Sequence, residues 1–255
     1  MITSASSLLL SVAMAAAAGL VGSFAVMRRM TLASDAISHV ALPGIGLALA
    51  FRVHPLIGGA AALLLGTFAI WGLERRTRIS TETLIGVVFS TALAAGSLLA
   101  SGEELIDALL GSPGDLTGWE VALGLVGALA VIGFVLGARN RLLLALVSPD
   151  IARTAGIDVR RLDLLYLLAF ALTVALGLRY LGVLLMGSLI IIPAATARYL
   201  ARSLAGMFAV AVAAAVLATV AGTWTAAHYH RPSGPVIVAI AAGLFFLGVL
   251  ARRDS

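Results

Sequence analysis

Neither cysteine nor lysine occurs in the 255 residues, and all 17 basic residues are arginine. Without thiols there is no disulfide and no thiolate site, so any metal must be held by histidine, carboxylate or backbone oxygen. Without lysine there is no Walker A loop, whose lysine sits on the nucleotide phosphates, and no Schiff-base chemistry. If ATP drives this chain, another chain hydrolyses it. Charge of either sign is also scarce: 11% of residues are charged, against about 25% in soluble domains. With 61% hydrophobic residues and a mean hydropathy of +1.10, the chain reads as a polytopic helical membrane protein. No basic residue precedes Arg28, so the positive start of a signal peptide is missing and the first apolar run is expected to remain as a span.

Apolar runs of bilayer length fall at 5–27, 33–51, 55–73, 81–100, 119–138, 162–178, 181–197, 205–227 and 235–250, each judged against roughly 20 residues for a 30 Å hydrocarbon core. The expected fold is all-α: one transmembrane bundle over residues 1–255, with about 8 to 9 spans. Arginine sets its sidedness. Arg28, Arg29, Arg75, Arg76, Arg78, Arg139, Arg141, Arg153, Arg160, Arg161, Arg198, Arg202, Arg252 and Arg253 fall on one side, against Arg52, Arg179 and Arg231 on the other. The arginine-rich side is cytoplasmic by the positive-inside rule, which puts the N-terminus outside and the C-terminus inside. The loop 101–118, with Glu103, Glu104, Asp107 and Asp115, then lies outside. A pI near 10.7 reflects this topology rather than nucleic-acid binding.

Inside the second run stands Ser34-Asp35-Ala36-Ile37-Ser38-His39-Val40-Ala41-Leu42-Pro43-Gly44. Asp35 and His39 are four apart, so on a helix they share a face and can grip one ion. At 1.5 Å per residue His39 lies about 15 Å from Arg29, near mid-membrane. An ionised Asp at that depth costs about 2.5 to 3.5 kcal/mol, so it should face protein, water or a ligand. The pair reads as a metal-passing site, although a carboxylate and an imidazole on one face can equally hydrogen-bond each other and fix packing. Pro43 and Gly44 predict a bend or loosened turn just beyond.

Elsewhere, Ser80 or Thr81 is the expected N-cap of the fourth run, with Glu82 in a structural role at its positive end. Ala18 and Gly22 are spaced for close helix contact. The fifth span is expected to end at Arg139-Asn140-Arg141, opening the longest inner loop. That loop carries a fully written short helix: Ser148 as N-cap, Pro149 as first residue, Asp150 in the first turn and Gly156 as the stop. Two turns are not stable alone, so the helix must pack on lipid headgroups or in a protein groove. Few charges among Ile151, Ala152, Ala155 and Ile157 favour the groove. Pro193, followed by Ala194, Ala195 and Ala197, predicts a kinked helix at a subunit or pore interface. His228 and His230 sit in an expected outer loop, where histidines usually have no special role.

Taken together these blocks resemble the permease subunits of the bacterial zinc and manganese family of ATP-binding-cassette importers. The resemblance runs through Ser34 to Gly44, Glu82 to Ser90, the Ala152 to Gly156 turn, Gly182 to Ala197 and Gly234 to Val238. It implies a transport subunit, not an enzyme, in which Asp35 and His39 stand on the pathway of Zn2+ or Mn2+ with no permanently bound cofactor. It also implies a homodimer or paired permeases, separate ATPase subunits docked on short cytoplasmic helices, and an extracytoplasmic metal-binding protein. Paired copies would bring two Asp35 and two His39 together, a four-ligand N/O set that serves zinc and manganese alike. Coordination needs neutral imidazole, so affinity should weaken once His39 protonates. The rival is a secondary transporter in which the pair relays protons without an ATPase. An intramembrane hydrolase is disfavoured because Ser38 and His39 point about 100° apart on a helix and no Gly-x-Ser-x-Gly turn is present.

Overall fold

A computed structural model describes residues 5–77, 79–99, 118–180 and 183–253. The acidic loop with Glu103, Glu104, Asp107 and Asp115 lies outside it, as do the side chains of residues 31–35. The described residues form helices and connecting turns, with no strand: α1 (Ala5–Met27), α2 (Thr31–Ala50), α3 (Pro55–Arg76), α4 (Thr81–Leu99), α5 (Gly118–Val147), α6 (Pro149–Thr154), α7 (Val159–Tyr180), α8 (Val183–Leu200), α9 (Leu204–His228) and α10 (Ser233–Arg253). Five of them are long and apolar enough to cross a membrane: Ser6–Met27, Ile57–Arg76, Gly118–Val147, Leu204–His228 and Ser233–Ala251.

The most enclosed of the five is α1, which packs on α5, α7, α8 and α9. Small residues let it do so. A methyl on Gly22 would overlap the Ile190 carbonyl of α8, and one on Gly19 would lie 2.9 Å from the Ala211 carbonyl of α9. Gly22 therefore makes the close contact its spacing predicts, Ala18 one turn before it is fully buried, and Gly19 adds a second close approach. Helix α9 shows the general rule. It buries Ala211, Ala215, Ala218 and Gly222 while exposing Leu217, Val220 and Trp224. Lipid tails are as apolar as leucine, so close backbone packing, not hydrophobic contrast, decides which side turns inward.

Three expectations are corrected. Helix α5 does not stop at Arg139 but runs on to Val147, because Leu142 and Ala145 continue its buried face below the arginines. Helix α7 begins at Val159, three residues early, since Asp158 Oδ1 accepts from Arg161 N at 3.1 Å and caps it. Ala194 and Ala197 do not form a subunit interface: they are buried within this chain, clustered with Val26 of α1 and with Met207 and Ala211 of α9. Pro43 and Pro193 each stand inside a helix, α2 and α8, that runs on beyond the proline. A proline removes one N–H donor, and packed neighbours tolerate that loss. At Pro43 the neighbour is α4, where a Cβ on Gly96 would come 3.3 Å from the proline nitrogen.

Some of the arginine-rich helix ends gather at one end of the bundle. Arg28 Nη1 pairs with Asp163 Oδ1 at 2.8 Å, and Trp71 Nε1 donates to the Arg160 carbonyl at 3.3 Å. The Thr81 hydroxyl donates to Glu74, and Ser80 Oγ caps α4 by accepting from Thr83 N at 3.3 Å. The last turns of α1 and α3 and the first turns of α4 and α7 thus share one end of the bundle.

Candidate functional site

Asp35 and His39 both lie on the continuous α2, one turn apart, so the shared face expected of the Asp-x-x-x-His spacing is present in the backbone. The Asp35 side chain is outside the described residues. His39 is partly buried, its ring centroid 5.7 Å from that of Phe89 on α4 at a 50° tilt, while Ser38 beside it is fully buried. Helix α2 is held chiefly by α3 and α4. At the α3 crossing the approach is reciprocal: a methyl on Gly44 would overlap the Gly58 carbonyl and one on Gly58 the Gly44 carbonyl, with Ala62 and Ala48 close beside them. Gly44-x-x-x-Ala48 on α2 thus meets Gly58-x-x-x-Ala62 on α3, an arrangement that lets helix backbones touch.

Next to this crossing, an apolar groove of about 810 Å³ runs between α2, α3 and α4 past Val40, Pro43, Leu47, Leu65, Val87 and Ala95. Thr91 supplies the single side-chain hydroxyl of its lining, so the groove offers a transition-metal ion no ligand set. Among the described residues no three His, Asp or Glu side chains converge. One α2 therefore contributes at most the Asp35 and His39 pair, fewer than the three or four protein ligands usual for zinc.

The short helix α6 forms with the caps its sequence predicts. Ser148, in extended conformation, accepts from Ile151 N at 3.4 Å, Pro149 opens the helix and Asp150 Oδ1 pairs with Arg153 at 2.7 Å. Gly156 has φ 77°, with Gly156 N donating to the Arg153 carbonyl and Ile157 N to the Ala152 carbonyl. This left-handed stop is the conformation glycine adopts at least cost. The structure separates the faces. Ala152 is fully buried against its own bundle, where α6 packs on α5 and α7, whereas Ile151, Asp150 and Ala155 are exposed. Ala152, expected on the outward docking face, instead anchors the helix to its own chain. Leucine there is expected to destabilise the protein by about 1 to 3 kcal/mol through overpacking, seen as a lower thermal midpoint in detergent.

His228 is the last residue of α9 rather than part of a loop, stacked on Trp224 at 5.8 Å and edge-on to Tyr229 at 5.0 Å. His230 follows in the left-handed region at φ 52°. His228 thus ends its helix within a small aromatic cluster. The Arg28–Asp163 pair was not legible as a pair, since the two residues are 135 positions apart in sequence; their common sidedness was the available signal.

The family model described as the ABC 3 transport family matches residues 3–252. The chain is 31% identical over 237 residues to the high-affinity zinc uptake system membrane protein ZnuB of Haemophilus influenzae, with 91% of each chain covered. It is 29% identical over 247 residues to the manganese transport system membrane protein MntC of Listeria innocua, covering 95% of this chain and 88% of that one. Among solved structures, PsaBC from Streptococcus pneumoniae in complex with Fab contains a chain that matches with a TM-score of 0.82 and 26% identity, over 97% of this chain and 91% of that one.

Proposed function

Since the chain belongs to the ABC 3 transport family, we propose that it is the membrane permease subunit of an ATP-driven importer of zinc or manganese. The family match over nearly the whole length carries this reading, supported by relatives named for transport of each metal. The chain is a transport subunit and not an enzyme; with no lysine it has no Walker A loop, and ATP hydrolysis belongs to a separate chain. Residues 1–255 act as one permease domain in the cell membrane, with the nine long helices as spans, the N-terminus outside and the arginine-rich end in the cytoplasm.

Asp35 and His39 are the metal ligands. Because one α2 offers a pair at most, a second permease copy completes a four-ligand set of two carboxylates and two imidazoles about a shared axis. Without thiolate the site binds and also releases the ion, as passage requires. An extracytoplasmic metal-binding protein delivers the ion to the outer mouth. The ATPase docks on α6 through the outward Ile151, Asp150 and Ala155, with Ser148, Pro149 and Gly156 holding the helix in shape and Ala152 fastening it to α5. ATP-driven movement of α6 then opens the two mouths alternately.

The test is reconstitution with the candidate ATPase and binding protein in proteoliposomes. ATP-dependent uptake of zinc or manganese is expected. Uptake that ignores ATP and follows an imposed proton gradient would overturn the reading in favour of a secondary transporter. Within this scheme Ala155→Trp should weaken ATPase binding by about tenfold or more, because overpacking a contact costs about 1 to 3 kcal/mol. Co-purification of the ATPase with the variant is the measurement, and undiminished recovery would remove α6 as its docking site.

A further inference from the structure

The first turn of α7 is tied to more than the short helix that precedes it. Between α6 and α7 the linker has little slack. Ile157 N donates to the Ala152 carbonyl at 2.9 Å, Leu162 N to the Asp158 carbonyl at 3.0 Å, and Arg161 Nε meets Asp158 Oδ2 at 3.0 Å. Only residues 155–158 separate the two helices, which also pack on each other, so a displacement of α6 is expected to carry Val159 to Asp163 with it.

One turn into α7, Asp163 grips Arg28 at 2.8 Å, with side-chain exposures of 32% and 13%, so the pair is largely withdrawn from water. The guanidinium also lies 4.6 Å above the Tyr166 ring, and the buried Tyr166 hydroxyl donates to the Val21 carbonyl of α1 at 3.0 Å. Arg28 Nε is buried and has no hydrogen-bond partner among the described residues, so the Asp163 carboxylate carries much of the compensation for that charge. Two half-buried charges are a costly way merely to pack helices, since desolvation offsets much of their attraction. What they add is a directional link with a fixed geometry.

Arg28 is the first residue beyond α1, in a tight corner. Arg28 N donates to the Phe24 carbonyl, Met30 N donates to the Ala25 carbonyl, and Arg29 takes φ 60°. Helix α2 starts at Thr31, so Asp35 and His39 lie within its first nine residues. On the other flank of α2, Trp71 of α3 holds the Arg160 carbonyl, and α3 meets α2 at the Gly44–Gly58 crossing. The corner that leads into α2 and the helix α3 that crosses it are therefore both fastened to one turn of α7.

From this juxtaposition we propose that Arg28 and Asp163 are a positioning pair that transmits movement of the cytoplasmic helix α6 to α2 and its metal ligands. The proposal rests on the reading of α6 as the ATPase-docking element. Loss of either charge leaves α6 able to bind the ATPase but lets α7 move without α2, so hydrolysis continues while transport lags.

The experiment uses the full permease reconstituted with its ATPase and binding protein, comparing the unaltered chain with Arg28→Met, Asp163→Asn and the double variant. Zinc uptake, manganese uptake, ATP hydrolysis and ATPase recovery are measured in parallel. ATP-driven uptake by the unaltered chain is established first; its failure would count against the functional reading and not against the pair. The expected result is normal ATPase recovery, hydrolysis within about twofold, and metal moved per ATP reduced about fivefold, a size typical of positions that touch neither ligand. The double variant should be no worse than either single one, as for two residues acting through one contact. Uptake and hydrolysis falling together, an unchanged metal-to-ATP ratio, or loss of the ATPase would each overturn the proposal. Should Asp163→Asn fail to fold, Arg28→Gln takes its place: it removes the charge but keeps a polar side chain, and an unaltered ratio in that variant overturns the proposal equally.

Discussion

Alanine in place of His39 is expected to abolish ATP-driven uptake of zinc and manganese while leaving a folded, membrane-inserted protein. Groups that merely orient a metal ligand change affinity or activity by about 10- to 100-fold when mutated, so removing the ligand itself should lower uptake by at least that much. In the two-copy arrangement each substitution is made twice, leaving a four-ligand set with two. Stability should change little, because the ring is only partly buried, beside Phe89 on α4. Asp35→Ala should behave alike in transport, and it also removes the insertion cost of a charge near the membrane centre. Uptake by either purified variant at the parent rate would show that the ion takes another path. ATPase recovery should be normal in both, which separates this defect from that of Ala155→Trp.

Leucine at Gly44 is expected to do the opposite: to remove the folded protein before transport can be tested. Even a methyl there overlaps the Gly58 carbonyl, and that atom is backbone, so no side-chain rotation relieves the clash. Ordinary overpacking costs about 1 to 3 kcal/mol; forcing two helix backbones apart along a crossing should exceed that range. Gly58→Leu should fail in the same way, because the contact is reciprocal. Gly133→Ala is the control. Nothing lies within 4 Å of a Cβ at that position on α5, and helix propensity favours alanine by about 1 kcal/mol. The measurement is the yield and thermal midpoint of monodisperse protein in detergent. A normally folded Gly44→Leu protein would mean that α2 and α3 are further apart than the structure places them.

The sequence alone determined the membrane class, the all-helical architecture, the clustering of arginine ends and the capped helix α6. Each depends on local physics: a run of apolar residues, a charge bias between ends, or a cap of a few neighbouring residues. The Asp35 and His39 register belongs to the same group, because four residues on one helix set the spacing whatever packs around it. Tertiary structure decided the rest. It turned Ala152 inward and Ala155 outward, buried Ala194 and Ala197 against α1 and α9, carried α5 past its arginines to Val147, and joined Arg28 to Asp163. In a chain apolar on nearly every side, the inner and outer faces of a helix differ little in hydropathy, so the usual amphipathic signal is absent. The inward face is chosen by where small residues let two backbones meet, and that choice belongs to pairs of helices such as α2 and α3 rather than to either sequence alone.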